Sequence, residues 1–416
     1  QEELMDNAGK AVAQFFCEKI QNPFSKTVVI VCGKGNNGGD GVIAHSYLKK
    51  YNVSSKIVFT EEKHGHSKLL KKYNISKSEY SIYNDKTNFD KYDWVIDGVF
   101  GIGLSRDLSS KYIKIIKDLN KNKNLISIDI PSGAFSDGDD FYLQDSVINS
   151  KFTITFGFPK LGHYLVPISN LFISDIGFKA ISSNIQKIEF SDITNILKSL
   201  NKKRNVHKYT KGKCQIIAGS YIYPGASILC SLAAQKTGSG YVHLFFDDPT
   251  DDEDYIDNLN CQLSDIIVSN YINQEHDNYS PTLIGPGREE SIFFSQYEEE
   301  NKVLDMNNKY IIDAGEIYPY SIHVYPEKSI ITPHFGEYKN LINIEKGTSI
   351  EKWHLEEAQK GISKRIIILK SFNTFIITKD MIYIMDKGPS LLATAGTGDV
   401  LSGILVSLLS QGYSRL

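Results

Sequence analysis

Residues 393–403 read Ala-Thr-Ala-Gly-Thr-Gly-Asp-Val-Leu-Ser-Gly, and an apolar run continues from there to residue 409. A glycine-rich turn that opens a helix directs several backbone N–H groups at one point, where the helix dipole also favours an anion. Asp399 would lie beside a phosphate bound at that point, which is where phosphoryl transfer to an alcohol needs a base. A structural turn with a capping aspartate gives the same pattern without a ligand. The stretch therefore predicts a helix N-terminus and leaves phosphate binding open.

A second glycine-rich stretch, residues 33–41, reads Gly-Lys-Gly-Asn-Asn-Gly-Gly-Asp-Gly. It lies between a predicted buried strand at 27–32 and a predicted helix at 42–48. A strand, a glycine-rich loop and a helix in this order typically bind phosphates at the helix N-terminus. The spacing matches neither the dinucleotide fingerprint nor the nucleoside-triphosphate loop. A flexible loop is the alternative, but its position at the end of a parallel strand favours a ligand site.

Two further predicted strands of the first half end in an aspartate. Residues 94–97 end with Asp97, and residues 125–129 end with Asp129. Because the carboxyl ends of parallel strands share one edge of a sheet, we expect both side chains to lie near the glycine-rich loop. A lone aspartate more often forms a turn or caps a helix. A carboxylate, an amide and a hydroxyl close together also suit a cation bound by oxygen atoms.

The chain of 416 residues is too long for one ordinary hydrophobic core, so two or three domains are expected. Residues 177–205 lack a glycine-rich turn and end in Lys-Lys-Arg-Asn, which indicates a linker. We therefore expect one domain at 1–200 and another at 201–416. Strands and helices alternate in both, which predicts an α/β fold with a Rossmann-like, doubly wound sheet in the first domain.

The second half repeats the pattern of polar residues at predicted strand ends. These residues are Gly285, Gly287, Asp313, His334 and Lys370. A lone histidine is more often structural than a ligand contact, but the turn Thr-Pro-His-Phe-Gly-Glu at a predicted sheet edge favours binding. Lys370 suits a nucleotide phosphate, although a solvated strand end would look the same.

Composition excludes several broad classes of function. The net charge of −3 argues against bulk electrostatic binding to nucleic acid. The five cysteines are scattered and never spaced as CxxC, so we expect neither a zinc site nor a disulfide framework, and a cytoplasmic location fits. No apolar run reaches the length of a membrane span, so we expect no membrane partner.

Several motifs together carry a resemblance that covers almost the whole chain. They are Leu-Met-Asp-Asn-Ala-Gly at 4–9, Asn-Asn-Gly-Gly-Asp-Gly at 36–41, Gly-Ile-Gly-Leu-Ser-Arg at 101–106, Asp-Ile-Pro-Ser-Gly at 129–133, Gly-Pro-Gly at 285–287, Thr-Pro-His-Phe-Gly-Glu at 332–337 and the 393–403 stretch. The chain resembles bifunctional NAD(P)H-hydrate repair enzymes. The resemblance implies an N-terminal epimerase domain and a C-terminal, ribokinase-like dehydratase domain that uses ADP or ATP.

For the first domain the resemblance implies a hydrate site and a potassium site. The hydrate would be bound by Asn36, Asn37, Gly38, Gly39, Asp40, Gly101, Ile102, Gly103, Leu104, Ser105, Arg106, Asp107 and Asp129. The potassium ion would be held by Asn37, Asp97 and Ser132. Asp129 would also be the acid or base for epimerisation at C6 of the hydrated nicotinamide ring.

For the second domain the resemblance implies a hydrate site beside a nucleotide site. The hydrate would contact Ser239 or Ala226, together with Gly287, His334 and Asp399, and Asp399 would be the catalytic base. ADP or ATP, with Mg²⁺, would contact Lys370, Ser371, Phe372, Asn373, Thr374 and Gly398. The family usually has glycine where this chain has Ser371.

The implied activity is repair of damaged coenzyme. The R and S hydrates of NADH and NADPH would be interconverted, and the S form would be dehydrated at the expense of ADP or ATP, giving AMP or ADP plus phosphate. We also expect a homo-oligomer. Two alternatives are a ribokinase-like small-molecule kinase that releases a phosphorylated product, and a first domain that only binds its ligand.

Overall fold

The computed structural model describes most of the chain, and contacts divide it into two units. The described residues are 2–138, 146–165, 168, 170–179, 182–199, 206–246, 253–270, 279–288, 307–317, 322–343 and 350–416. The first unit comprises residues 1–182 and 347–352, and the second comprises 183–346 and 353–416.

The first unit contains a seven-stranded sheet in the order β3-β2-β1-β4-β5-β6-β7. The strands are β1 Thr27–Cys32, β2 Ser54–Phe59, β3 Tyr80–Ile82, β4 Trp94–Gly98, β5 Leu125–Ile128, β6 Phe152–Phe156 and β7 Leu171–Ser174. All neighbouring strands are parallel. The strand order reverses between β1 and β4, so a crevice for a ligand opens at their carboxyl ends. The prediction of a doubly wound sheet is confirmed.

Helices cover this sheet, which explains why residues 28–32 of β1 are all apolar. The helices are Glu2–Lys19, Asn36–Lys50, Ser67–Lys72, Ser110–Leu119 and Gly162–Leu165. Val28 and Ile30 of β1 pack into one hydrophobic core, whereas Val29 and Val31 pack into another. Because successive side chains of a strand point to opposite faces, a strand covered on both faces needs apolar residues at every position.

The glycine-rich stretch after β1 is mostly helix, although we expected the helix to begin at residue 42. The helix begins at Asn36, so Gly38 and Gly39 belong to its first turns. A Cβ atom on Gly38 would lie 2.0 Å from the carbonyl oxygen of Gly33. These glycines therefore let the helix start very close to the end of β1.

The second unit contains a ten-stranded sheet in the order β11-β10-β9-β12-β13-β14-β15-β16-β17-β8. The strands are β8 Ile185–Lys187, β9 Lys213–Ile217, β10 Tyr241–Phe246, β11 Ile267–Asn270, β12 Thr282–Ile284, β13 Tyr310–Ile312, β14 Ile330–Ile331, β15 Ile366–Leu369, β16 Thr374–Ile377 and β17 Ile382–Met385. Neighbouring strands are parallel except that β16 runs antiparallel to β15 and β17. The predicted hairpin of β16 and β17 is confirmed.

The chain enters the second unit earlier than the boundary near residue 200 that we expected. Strand β8 pairs in parallel with β17, and the Ile382 N–H donates to the carbonyl oxygen of Asn184 at 2.7 Å. This pairing assigns residues from 183 onward to the second unit. Three residues, Ile-Gln-Lys, carry too weak a pattern to be read as a strand without their distant partner.

Helices of the second unit include the one that the 393–403 stretch predicted. They are Phe190–Ser199, Pro224–Thr237, Glu253–Gln262, Phe335–Leu341, Lys352–Gly361 and Thr397–Ser410. Gly396 precedes the last helix with φ of 88°, a left-handed conformation that favours glycine. Asp399 lies in its first turn. Within the described residues, every helix is too short or too polar to cross a lipid bilayer.

Candidate active sites

A cavity of about 1420 Å³ opens at the carboxyl ends of the strands of the first unit. Its lining includes the predicted residues Asn36, Asn37, Asp40, Gly101, Ile102, Gly103, Leu104, Arg106, Asp107 and Asp129. Gly38, Gly39 and Ser105 are not part of the lining. Gly38 packs against Gly33, and a Cβ atom on Gly39 would lie 3.0 Å from the Met5 sulfur. The two helical glycines therefore support the site through packing.

Asp129 follows β5 directly and is held in an unusual backbone conformation. Its φ of 65° is uncommon for any residue other than glycine, and such outliers concentrate at functional sites. The Lys160 ammonium lies 2.6 Å from Asp129 Oδ1, and the Thr155 hydroxyl donates to the same oxygen at 3.0 Å. The predicted acid or base is therefore paired with a lysine.

His163 holds both members of this pair in position. Its Nε2 lies 2.7 Å from the carbonyl oxygen of Asp129, and its Nδ1 lies 2.9 Å from the backbone nitrogen of Lys160. Burial is the main cause that lowers the pKa of His163 to about 4. The ring is therefore neutral near pH 7, accepting at Nδ1 and donating at Nε2.

Sequence reasoning missed Lys160, Thr155 and His163. Thr155 belongs to β6, and Lys160 and His163 follow that strand at the same edge of the sheet as Asp129. The available signal was a lysine shortly after a predicted strand. A lysine at a strand end is usually solvated, so the signal was too weak to select this one.

Asp40 contributes a second carboxyl group to the cavity. It is only 9% exposed. Burial, followed by the negative charge of Asp129, raises the pKa of Asp40 to about 8. Asp40 is thus protonated near neutral pH, while Asp129 is paired with a cation. A protonated carboxyl group in the same cavity as an aspartate that is paired with a lysine suits an acid and a base.

The predicted potassium ligands Asn37, Asp97 and Ser132 come together around the backbone of Phe100. Ser132 Oγ lies 2.6 Å from Asp97 Oδ1 and 3.3 Å from the Phe100 carbonyl oxygen, and Asn37 Nδ2 donates to that oxygen at 2.7 Å. The grouping therefore holds a carboxylate, a carbonyl, a hydroxyl and an amide in one place.

Asp97 is completely buried. Burial raises the pKa of its carboxyl group, whereas four hydrogen bonds to the carboxylate lower it. These come from Ser132 Oγ and N, Ser127 Oγ and Val99 N, at 2.6 to 3.1 Å. No lysine or arginine of the described chain forms an ion pair with this carboxylate. Oxygen donors around an uncompensated carboxylate fit a hard cation such as K⁺.

In the second unit, Lys370 joins a deeply buried carboxylate at the edge of the sheet. Its ammonium lies 2.7 Å from Oδ1 of Asp313, a residue that is 1% exposed. The Ser402 hydroxyl donates to the other carboxylate oxygen at 2.5 Å. A Cβ atom on Gly398 would lie 3.3 Å from the Lys370 ammonium. Lys370 therefore lies at the N-terminus of the helix that carries Asp399, where the nucleotide site is predicted.

Asp399 lies half-buried in the same electrostatic environment. Burial and the negative charge of Asp313 raise the pKa of Asp399, and Lys370 opposes this effect. No hydrogen bond to the Asp399 carboxylate is formed within the described part of the chain. An aspartate with a raised pKa and no fixed partner can accept a proton more readily than an ordinary one.

His334 has a structural role, and its ring is largely exposed. Its Nδ1 accepts hydrogen bonds from the backbone of Gly336 at 2.9 Å and of Glu337 at 3.2 Å, which caps the helix Phe335–Leu341. Its ring is 62% exposed, so Nε2 is accessible beside Glu337. The Lys370 N–H donates to the carbonyl oxygen of Pro333 at 2.8 Å. Pro333, the residue before His334, is therefore hydrogen-bonded to the backbone of Lys370.

Of the two alternatives for the hydrate contact, the structure favours Ala226. A Cβ atom on Gly287 would lie 2.6 Å from Ala226 Cβ, at the start of the helix Pro224–Thr237. Ser239 follows the other end of that helix, and its hydroxyl lies 2.8 Å from Ser407 Oγ. Ser407 lies eight positions after Asp399 in the same helix, which corresponds to about 12 Å. Ser239 is therefore distant from Asp399, and its contact with the hydrate stays a prediction.

The remaining predicted nucleotide contacts lie in the connection between β15 and β16. Ser371 and Phe372 are exposed, and half of the Phe372 side chain is accessible. Thr374 begins β16, with Asn373 just before it. The connection starts directly after Lys370, whose ammonium lies beside Gly398, and the contact of these residues with a nucleotide stays a prediction.

Comparisons with known proteins divide the chain into the same two parts. Residues 1–162 match the family described as YjeF-related protein N-terminus, and residues 214–416 match the family described as NAD(P)H-hydrate dehydratase. A solved structure of the ADP/ATP-dependent NAD(P)H-hydrate dehydratase from Bacillus subtilis, co-crystallised with ATP and Mg²⁺, is 26% identical with a TM-score of 0.43. It matches over 50% of this chain and 76% of its own.

Curated relatives match over nearly the whole chain. The bifunctional NAD(P)H-hydrate repair enzyme of Thermofilum pendens is 28% identical, over 99% of this chain and 84% of the relative. The enzyme of the same name from Dictyoglomus turgidum is 30% identical, over 99% of this chain and 85% of the relative. The chain therefore belongs to the family of bifunctional NAD(P)H-hydrate repair enzymes.

Proposed function

We propose that the first unit interconverts the R and S hydrates of NADH and NADPH, and that the second unit dehydrates the S hydrate with ADP or ATP. The observation that carries this proposal is the grouping of Lys370, Asp313 and Asp399 at a glycine-rich helix N-terminus. The grouping combines a base with backbone N–H groups and a cation, which phosphoryl transfer to a ring hydroxyl requires.

In the dehydration, Asp399 takes the proton of the C6 hydroxyl of the hydrated ring. The hydroxyl oxygen attacks the terminal phosphoryl group of the nucleotide, and ADP leaves from ATP or AMP from ADP. The backbone N–H groups of residues 396–398 and the Lys370 ammonium stabilise the negative charge on the phosphoryl oxygens. The C6–O bond then breaks, phosphate departs with the electron pair, and loss of a proton from the neighbouring ring carbon restores the double bond.

Mg²⁺ would neutralise charge on the nucleotide phosphates, which is the chemistry this ion usually supplies. The described residues contain no group of three or more histidine, cysteine, aspartate or glutamate side chains arranged to hold a metal ion. Proteins commonly bind Mg²⁺ through one or two carboxylates and the phosphates of the substrate, so the ion would enter with the nucleotide.

In the epimerisation, Asp40 is the acid and Asp129 is the base. Asp40 gives its proton to the C6 hydroxyl, the C6–O bond breaks, and the ring nitrogen supplies electrons to the resulting cation. Asp129 takes a proton from the water that adds to the other face of C6. Support comes from the buried, protonated Asp40 and from the Lys160 pairing of Asp129, both in one cavity.

Asn37, Asp97 and Ser132 would hold K⁺ in the first unit. The ion would supply positive charge against the buried Asp97 carboxylate and would fix the turns that carry Gly101 and Ser132. Support comes from the shared contacts of Asn37 and Ser132 with the Phe100 carbonyl oxygen. The proposed proton transfers by Asp40 and Asp129 do not involve K⁺.

The alternative of a small-molecule kinase with a non-catalytic first unit has less support. A binding module has no need for a strained aspartate paired with a lysine inside a large cavity. The kinase alternative also predicts a stable phosphorylated product, whereas the repair reaction releases inorganic phosphate and restores the coenzyme.

The proposal is tested with purified R and S hydrates of NADH. With ATP or ADP, the S hydrate should regain the absorbance of NADH with release of one phosphate per coenzyme. Without nucleotide, the R hydrate should convert to a mixture of R and S, resolved by chromatography. A phosphorylated product that persists, or R hydrate that is unchanged after prolonged incubation, would contradict the corresponding half of the proposal.

We also propose a cytoplasmic site of action and a homo-oligomer. The five cysteines are all unpaired, which fits a reducing compartment. Light scattering of the purified chain would measure its mass in solution, and a monomer mass would contradict the second part. The nucleotide preference would follow from which of ADP and ATP raises the melting temperature more.

A further inference from the structure

The cavity of the first unit extends to a charged cluster that the proposed chemistry does not use. Glu61 lines the cavity two residues after β2. Its carboxylate forms an ion pair with Lys34 and accepts a hydrogen bond from the Tyr112 hydroxyl at 2.8 Å. The Lys111 ammonium lies 3.8 Å away. Only a quarter of the Glu61 side chain is exposed, while Lys34 is half exposed.

Glu61 and Asp129 lie at opposite ends of the cavity. Two strands, β1 and β4, separate β2 from β5 in the sheet. Three strand spacings correspond to about 14 Å. Between the two ends lies the N-terminus of the helix that begins at Asn36, where backbone N–H groups favour phosphate. The cavity therefore has an acid–base end, a phosphate position and a second polar end in a row.

This order corresponds to the order of groups in a dinucleotide. If the hydrated ring lies at Asp129, as the proposed function requires, and the diphosphate lies at the helix N-terminus, the adenosine half extends towards β2. The first side chain that lines the cavity after β2 is Glu61. In doubly wound dinucleotide folds, an acidic residue at the end of the second strand typically accepts a hydrogen bond from the ribose 2′-hydroxyl.

We propose that Glu61 selects the hydrate of NADH over the hydrate of NADPH, by accepting a hydrogen bond from the adenosine 2′-hydroxyl and repelling a 2′-phosphate. The inference rests on the proposed function of the first unit and adds the coenzyme class to it. Tyr112 fixes one carboxylate oxygen. When the ribose binds, the half-exposed Lys34 side chain would leave its ion pair with Glu61 and turn towards the diphosphate.

The charge of Glu61 supports this role. Its hydrogen bond with Lys34 is the largest cause that lowers the pKa of Glu61, and Tyr112 and Lys111 act in the same direction. The group is therefore an anion at every pH at which the enzyme would be assayed. A 2′-phosphate beside it would place like charges together, which costs binding free energy. The competing interpretation is that Lys34 and Lys111 attract the 2′-phosphate.

The test compares epimerisation of the two R hydrates by the full chain without nucleotide, so that the second unit makes no product. R and S forms are separated by chromatography, and kcat and KM are obtained for each coenzyme. The variants are Glu61→Gln, which keeps the shape and removes the charge, and Glu61→Asp, which keeps the charge. The matched control is Glu62→Gln, which removes a neighbouring exposed carboxylate outside the cavity lining.

We expect the wild-type chain to prefer the NADH hydrate. Glu61→Gln should reduce that preference roughly tenfold or more, mainly by lowering KM for the NADPH hydrate. Glu61→Asp should keep the direction of the preference, and Glu62→Gln should change nothing. A wild type without preference, a preference for the NADPH hydrate, or equal effects of Glu61→Gln on both substrates would overturn the inference. If the wild type converted neither hydrate, the proposed function itself would fail instead.

Discussion

Each unit pairs a lysine with an aspartate at the edge of its sheet. Only in the first unit is that aspartate the proposed base. In the first unit Lys160 contacts Asp129, the proposed base itself, at 2.6 Å. In the second unit Lys370 contacts Asp313 at 2.7 Å and leaves the proposed base, Asp399, without a hydrogen bond among the described residues. The same two residue types thus produce one fixed carboxylate and one available carboxylate.

This difference indicates what each site demands of its base. A base that acts on a water molecule must be held in one orientation, and direct pairing with lysine provides that. A base that takes a proton from an alcohol during phosphoryl transfer benefits from a raised pKa, while a nearby cation must be reserved for the phosphoryl oxygens. Asp313 keeps Lys370 in reach of the phosphate position without pairing it to Asp399.

The largest expected effect comes from Asp399→Asn. Because the variant cannot accept the proton, dehydration of the S hydrate should slow by about 10²–10⁴-fold, as measured by the return of NADH absorbance. Epimerisation of the R hydrate should not change, because that site belongs to the other unit. Asp380→Asn, which removes an exposed carboxylate of the same unit, should leave both rates unchanged. Full dehydratase activity in Asp399→Asn would show that the base was assigned wrongly.

Lys160→Met should affect only the other reaction. Without its cation, Asp129 is less firmly oriented, so epimerisation should slow by about 10²-fold in a chromatographic assay. Dehydration of the S hydrate should continue at the wild-type rate. Lys123→Met, at an exposed position of the same unit, provides the control. If Lys160→Met lowered the rates of both reactions equally, the role of Lys160 would be structural. The comparison of the two lysine–aspartate pairs would then no longer hold.

Ser402→Ala tests how Asp313 is held. Removal of the hydroxyl leaves one carboxylate oxygen of a buried anion without its donor, which should lower the free energy of unfolding of the second unit by about 1.5–3 kcal/mol. The control is Ser231→Ala, because the equally buried Ser231 hydroxyl has no hydrogen-bond partner among the residues that the structure describes. That change should be neutral or stabilising in the same denaturant titration. If the two variants lost the same free energy of unfolding, the hydrogen bond from Ser402 to Asp313 would make no contribution of its own to stability.

Besides the loss of epimerisation expected for the proposed acid, Asp40→Asn should change the free energy of unfolding, and this smallest effect of the series should depend on pH. The pKa of Asp40 is raised to about 8 in the folded chain, so folding requires the group to hold a proton that the unfolded chain releases at much lower pH. The wild-type stability contributed by Asp40 therefore falls as pH rises from about 4 to 8. Asparagine needs no proton, so the variant should gain about 1–2 kcal/mol at pH 8 and almost nothing at pH 4.

Melting curves of the first unit at the two pH values would measure that gain. Asp90→Asn, at an exposed position, should show no such pH dependence. A stability difference between Asp40→Asn and wild type that stayed constant across this range would mean that Asp40 is ionised in the folded chain. The contrast between a protonated acid and a paired base in the first unit would then be lost.

The sheets and the carboxyl-end aspartates were predictable because they depend on local patterns. An unbroken apolar run such as residues 27–32 is required wherever both faces of a strand are covered. Strand direction then fixes the edge at which Asp97 and Asp129 emerge. The glycines before Asp399 likewise identified the helix N-terminus, since Gly396 adopts a left-handed conformation there.

The remaining features depend on partners that are distant in the chain. Lys160 follows Asp129 by 31 residues and meets it only because β5 and β6 are neighbours. Ser239 precedes β10, whereas Gly287 follows β12, so the two lie at opposite edges of the sheet. A glycine-rich turn looks the same in the sequence before and after a strand. Strand β8 is recognisable only beside β17, nearly two hundred residues later.

The close contact between the helices Pro224–Thr237 and Thr397–Ser410 has a consequence for how the dehydratase site can evolve. A Cβ atom on Gly403 would lie 2.2 Å from the carbonyl oxygen of Cys230. One of these helices begins near Ala226 and the other near Asp399, so their separation affects the distance between two of the proposed hydrate contacts. A single added methyl group at Gly403 would push the helices apart, and we expect it to move Ala226 relative to Asp399.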